Sequence, residues 1–160
     1  LAEKVKSIRL HGKGSHKYEH DRLGINSRLD TIQAAILIEK LKIFPNEIIR
    51  RNKIAKSYAK IRNDDLFSPT VREGFESVWA QYTLRSSKRS QMQQKLKENK
   101  IPSVVYYPKK LDDQEGYKKY PVVSSGTHSA ENLCEEVFSI PMHPYLNNDN
   151  VQAIIDVLDK

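Results

Sequence analysis

Gly24-Ile25-Asn26-Ser27-Arg28-Leu29-Asp30, running into Thr31-Ile32-Gln33-Ala34-Ala35-Ile36, is the stretch on which the reading of this chain turns. Ser27 stands three residues ahead of Asp30, just before the apolar positions Leu29, Ile32, Ala35 and Ile36. That is a capping-box pattern, and it predicts a helix from Ser27 to about Phe44. Gly24 supplies a backbone free to turn. Asn26 and Arg28 flank the expected cap, where unpaired amides and the positive end of the helix dipole favour an anion. Arg28 adds a planar fork suited to carboxylate or phosphate, and Asn26 adds a neutral amide donor. The plainer reading of the same residues is an ordinary capped helix with a solvated arginine, and motif physics alone favours it.

Outward from this stretch, the helix carries apolar residues around most of its circumference (Leu29, Ile32, Ala34 to Ile38, Leu41), which predicts a buried spine between layers. Pro45 and Asn46 are expected to break it and restart a second helix through about Ile61, with Ile54, Tyr58 and Ile61 on one face. Upstream, residues 1 to about 10 read as the end of a helix, and His11-Gly12-Lys13-Gly14-Ser15-His16 as a polar loop. The Gly-Lys-Gly-Ser order lacks the spacing of a phosphate loop, and His11, His16 and His20 have no thiolate nearby, so no metal site is read here.

Downstream, Val78 to Leu84 alternates aromatic and β-branched residues as a strand does, Ser87 to Asn99 is an amphipathic helix, and Ile101 to Tyr107 is a second strand stopped by Pro108. Lys109 to Pro121 lacks periodicity and reads as an ordered loop. A helix from about Ser129 leads into a third strand, Val137 to Ile140, then Pro141-Met142-His143-Pro144. Val151, Ile154, Ile155 and Leu158 mark a last helix from about Asn148. The expectation is an α/β fold with a three-stranded, antiparallel sheet attached to a helical spine.

Composition narrows the partners. The 160 residues carry a formal net charge of +7, but lysine and arginine recur along the whole chain instead of clustering, which argues against a nucleic-acid module. No apolar run approaches the roughly 18 residues of a membrane span and no signal-peptide pattern occurs, so a soluble protein without a membrane role is expected. The single cysteine, Cys134, suits a small buried residue in a reducing cytosol. Leu1 to Leu10 looks like the interior of an element, so a longer parent protein is expected.

Taken together, Gly24-Ile-Asn-Ser-Arg-Leu-Asp, Ile32-Gln-Ala-Ala-Ile, Arg51 with Ile54-Ala55 and Tyr58, Tyr106-Tyr107-Pro108, Gln114 with Tyr117, and Ile140-Pro-Met-His-Pro resemble the C-terminal half of DegT/DnrJ/StrS-type sugar aminotransferases. The resemblance covers essentially the whole chain and implies the pyridoxal 5'-phosphate (PLP)-dependent, fold type I architecture of the aspartate aminotransferases. It implies the end of the large PLP-binding domain in residues 1–26, connecting helices in 27–62 and a small C-terminal α/β domain in 63–160. It also implies a cytoplasmic homodimer with active sites shared across the interface, moving an amino group from an amino acid such as glutamate onto a nucleotide-linked keto-sugar for polysaccharide or glycan precursors.

By the same resemblance Asn26 would bind the cofactor phosphate, Arg28 would hold the donor carboxylate or an acidic group of the sugar nucleotide, and Tyr106 and Tyr107 would border the substrate pocket. Tyr106 reads equally as strand-end packing, and His143 as a structural loop residue. The Schiff-base lysine lies upstream in such enzymes, so no catalytic residue is assigned here and this piece is expected to be inactive alone. Where relatives have Pro-Leu-His after the Tyr-Pro, this chain has Lys109-Lys110-Leu111-Asp112, which leaves the sugar preference open. A sugar dehydratase of the same fold and a non-catalytic basic or regulatory module are the competing readings.

Overall fold

A computed structural model describes residues 1–16 and 18–159, which divide into two units, Leu1–Phe44 and Pro45–Lys160. In the first unit, helix α1 (Ala2–Ile8) runs into a loop that doubles back on it. Ile25 N–H donates to the Ile8 carbonyl at 2.8 Å, His11 N–H to Ile25 at 3.1 Å and Ser27 N–H to Arg9 at 2.9 Å, so Leu10 and Asn26 face each other in an antiparallel bridge. Gly24 is needed here for a close approach, because a Cβ there would lie 2.0 Å from the Gly12 nitrogen. Gly12 has φ +77°, and a Cβ on it would meet the Arg22 carbonyl oxygen at 1.7 Å.

This pairing relocates the helix start. Residues 25–27 are held extended, and helix α2 (Thr31–Tyr58) begins four residues later than the capping-box reading places it. Its cap is Asp30, whose Oδ1 accepts from Ile32 N at 2.8 Å and Gln33 N at 3.3 Å. Pro45 does not end the helix: α2 continues through it to Tyr58. A proline removes one N–H donor, and the flanking turns carry the helix past that gap. The expected burial of the N-terminal half is also overturned. Ile32 is 72%, Ile36 56% and Leu41 65% exposed, and none of them belongs to the buried cluster.

The second unit holds the core. Strands β1 (Tyr82–Arg85) and β2 (Val137–Ile140) pair antiparallel, with Tyr82 opposite Ile140 and Leu84 opposite Phe138. Helices α3 (Arg89–Glu98), α4 (His128–Glu136) and α5 (Asn148–Leu158) complete the unit. Tyr58 from α2, Tyr82 and Leu84 from β1, Met92 and Leu96 from α3, Phe138 from β2 and Ile154 and Leu158 from α5 form one buried cluster. The α5 register follows its sequence period, and the Asn147 side chain caps it by accepting from Asn150 N at 2.8 Å.

Among the described residues the sheet has two strands, not three. The expected strand at 101–107 shrinks to one antiparallel bridge, Val104 to Ser139, closed by bonds of 3.1 and 2.7 Å. Pro102 has no N–H to give a ladder, and Lys100 just ahead of it sits at φ +58°. The strand expected from Val78 starts only at Tyr82 because Trp79 adopts φ +48°. Arg51 Nη1 donates to the Trp79 carbonyl at 3.1 Å and the indole N–H donates to Asn52 Oδ1 at 3.0 Å, which fixes that turn against α2.

Candidate functional site

Asn26 and Arg28 are brought together by the extended segment that precedes α2. Arg28 Nε donates to Asn26 Oδ1 at 3.0 Å. The backbone bridge to Leu10 holds Asn26 from one side, and Arg9 Nε, donating to the Ser27 carbonyl at 3.0 Å, holds the residue between them. Both side chains are exposed. With its carbonyl oxygen bonded to Arg28, the Asn26 amide keeps two N–H donors, and the Arg28 guanidinium keeps further N–H donors of its own. Such a set of donors with one positive charge is suited to phosphate or carboxylate. The amides expected to form an anion site at the helix start are instead taken by Asp30, whose Oδ1 accepts from the Ile32 and Gln33 N–H groups.

Tyr106 and Tyr107 lie in the second unit, just past the Val104 bridge. Their rings meet edge to face with centroids 5.8 Å apart, and they are 41% and 70% exposed. Neither belongs to the buried cluster, so strand-end core packing does not account for them. His143 behaves as a turn residue: its Nδ1 accepts from the Tyr145 N–H at 3.2 Å. Cys134 is half-buried, and its carbonyl accepts from Arg89 Nη1.

The loop after Pro108 contains a polar knot that sequence reading does not reveal. Lys110 Nζ lies 3.1 Å from Thr127 Oγ1, 3.5 Å from Asp112 Oδ2 and 3.7 Å from Asp113 Oδ2, and its side chain is only 13% exposed. The Thr127 hydroxyl in turn donates to Asp112 at 2.9 Å. Burial works against the charged form of Lys110, but Asp112, Asp113 and Glu131 outweigh it and hold its pKa above the ordinary lysine value. The Thr127 hydrogen bond, against burial and with help from Lys110, holds the Asp112 carboxyl below its usual range. The signal available in sequence was the Lys109-Lys110-Leu111-Asp112 departure from the family pattern, but Thr127, fifteen residues on from Asp112, could not be paired with it from spacing.

The model of the DegT/DnrJ/EryC1/StrS aminotransferase family matches residues 1–159. The chain is 37% identical over 163 residues to the UDP-2-acetamido-2-deoxy-3-oxo-D-glucuronate aminotransferase of Pseudomonas aeruginosa, spanning 99% of this chain and 43% of that protein. It is 36% identical over 160 residues to a protein of Geobacillus stearothermophilus named a pleiotropic regulatory protein, spanning 98% and 43%. A crystal structure of a DegT DnrJ EryC1 StrS aminotransferase from Brucella abortus superposes with a TM-score of 0.92 at 43% identity, covering 98% of this chain and 42% of that one. The chain thus spans less than half the length of each of these relatives, and with its match over residues 1–159 it belongs to the DegT/DnrJ/EryC1/StrS aminotransferase family.

Proposed function

We propose that the full-length protein containing this chain is a PLP-dependent aminotransferase that moves an amino group from an amino acid, glutamate in the first instance, to a nucleotide-linked keto-sugar. The observation that carries this reading is the family match along residues 1–159, with a sugar-nucleotide aminotransferase among the relatives above 30% identity. The Asn26–Arg28 pair fits the part assigned to it. PLP supplies the electron sink that amino transfer needs, and its phosphate is an anion that an amide and guanidinium can hold. In this reading Asn26 binds the cofactor phosphate, Arg28 binds the donor carboxylate or an acidic group of the sugar nucleotide, and Tyr106 and Tyr107 border the sugar. Residues 1–26 end the large domain, 27–62 connect, and 63–160 form the small domain of a cytoplasmic homodimer whose sites are shared between subunits.

The test is made on the full-length protein. Added L-glutamate should change the visible absorbance of the bound cofactor, and a UDP- or dTDP-linked 3-keto-sugar should restore it while an amino sugar forms. A protein that loses the sugar hydroxyl as water without uptake of glutamate nitrogen is the dehydratase instead. One that binds no PLP overturns the enzyme reading.

A further inference from the structure

The loop between Pro108 and α4 carries an open cleft of about 490 Å³ within the second unit. Its walls are the rings of Tyr117 and Tyr120 and the aliphatic chains of Leu111, Val122 and Val123, with Asp112 set among them. The five apolar residues are between 50% and 65% exposed. A loop without helix or strand that turns five large apolar side chains outward presents a binding face, and this volume falls in the range of small-molecule sites. One polar group is aimed and fixed. Asp112 is oriented by the Thr127 hydroxyl at 2.9 Å and backed by Lys110, so its carboxylate is a preorganised acceptor. A cation stands at the rim: Lys119 Nζ lies 5.5 Å from the centroid of the Tyr120 ring and makes no ion pair among the described residues.

Two aromatic rings tilted 38° to each other, a carboxylate acceptor held by Thr127 and Lys110, and a cation at the edge offer contacts to a heteroaromatic base, to the O–H and N–H donors of a nucleoside, and to a phosphate. We propose that this cleft holds the nucleoside end of the nucleotide sugar, with Tyr117 and Tyr120 packing on the base, Asp112 accepting from the nucleoside donors and Lys119 facing the diphosphate. The proposal rests on the aminotransferase reading above and adds to it the residues that would select the nucleotide. Lys110 and Thr127 are then positioning residues, which act by holding Asp112.

The experiment titrates the full-length protein with UMP and with AMP by calorimetry, independently of turnover, and then repeats it with Asp112→Asn, Tyr117→Ala and the cleft-filling Val123→Trp. Wild type should bind UMP. Asp112→Asn and Tyr117→Ala should weaken UMP at least tenfold and raise KM for the sugar nucleotide by a similar factor, while kcat and the absorbance change with glutamate alone stay within about twofold. Val123→Trp should abolish UMP binding and leave the melting temperature near wild type. If UMP binds with the same affinity to all variants, or not to wild type, the proposal is overturned. It is overturned equally if the variants lose the glutamate response and thermal stability together with UMP, because the cleft is then covered by the protein itself. Intact UMP binding in a protein that never responds to glutamate sinks the aminotransferase reading and leaves the cleft assignment standing.

Discussion

Arg28 Nε donates to Asn26 Oδ1 across 3.0 Å, so the amide's acceptor and one N–H of the guanidinium are spent on each other. The carbonyl oxygen is used within the chain. The amide keeps two N–H donors and the guanidinium keeps the rest of its own, the kind of groups that the proposed anion site needs.

Replacing Asn26 by Asp tests that site. The substitution keeps the acceptor that Arg28 bonds, so local structure should hold, but it exchanges two donors for a negative charge. In the full-length protein, PLP affinity measured by absorbance titration should fall by roughly one to two orders of magnitude, the equivalent of about 1.5–3 kcal/mol for a hydrogen bond to a charged group. Arg28→Lys keeps the charge and loses the fork; it should raise KM for the amino donor more than it weakens PLP. Equal PLP affinity in the Asp variant would remove Asn26 from the phosphate site.

Ile36→Asp in the chain as it stands should change stability by no more than about 0.5 kcal/mol, since Ile36 is 56% exposed and contributes nothing to the buried cluster. Phe138→Ala should cost about 3–5 kcal/mol, because Phe138 is fully buried between β1 and the helices. Urea melts of the two variants decide the matter. A large loss from the Ile36 change would mean that the face is packed in solution.

What was legible in the sequence follows the range of the forces involved. The last helix was placed at Asn148–Leu158 from Val151, Ile154, Ile155 and Leu158, and β2 from Val137 to Ile140, because their apolar period and flanking residues are local signals. The start of α2 was misplaced because Asn26 pairs with Leu10, sixteen residues earlier, and that non-local bridge takes Ser27 out of the helix. The third strand failed at Pro102, whose missing donor outweighed the β-branched pattern around it. The closeness of Asn26 and Arg28 was legible in their spacing, but their mutual hydrogen bond was not. The Lys110–Asp112–Thr127 knot depends on a loop closing on itself, which no periodicity encodes.

Tyr58 donates its hydroxyl to the Pro141 carbonyl at 2.8 Å and is fully buried, and burial, then the neighbouring Tyr82, raises its pKa far above the ordinary value. An unfolded tyrosine ionises near pH 10. The stability tied to keeping Tyr58 neutral is therefore intact below about pH 10 and is lost as the pH rises past it, since the unfolded chain releases the proton first. Tyr58→Phe should lower stability at pH 7 by about 1 kcal/mol, leaving the Pro141 oxygen unpaired, and should move the onset of alkaline unfolding upward. Trp79 fluorescence against pH measures both. An unmoved alkaline limb would show that another group drives it.

The knot beside the cleft should open at both ends of the pH scale, from opposite causes. Asp112 has a lowered folded pKa, so its contribution is present above the usual carboxylate value of about 4 and is lost as the pH falls through the folded one. Lys110 has a raised folded pKa, so its contribution is present below about 10.4 and is lost as the pH rises through the folded value. Residues 109–127 should thus be most protected between these limits. The loop holds no helix or strand and no member of the buried cluster, so it should open without unfolding the core. Hydrogen exchange across 109–127 on acidification should rise before Trp79 fluorescence reports global unfolding. Asp112→Asn keeps the shape but removes the titrating group, and it should flatten the acid dependence of that exchange while leaving the core transition in place. Exchange that rises together with the Trp79 signal, in wild type and variant alike, would show that the loop is held by the core and not by the Lys110–Asp112–Thr127 contacts.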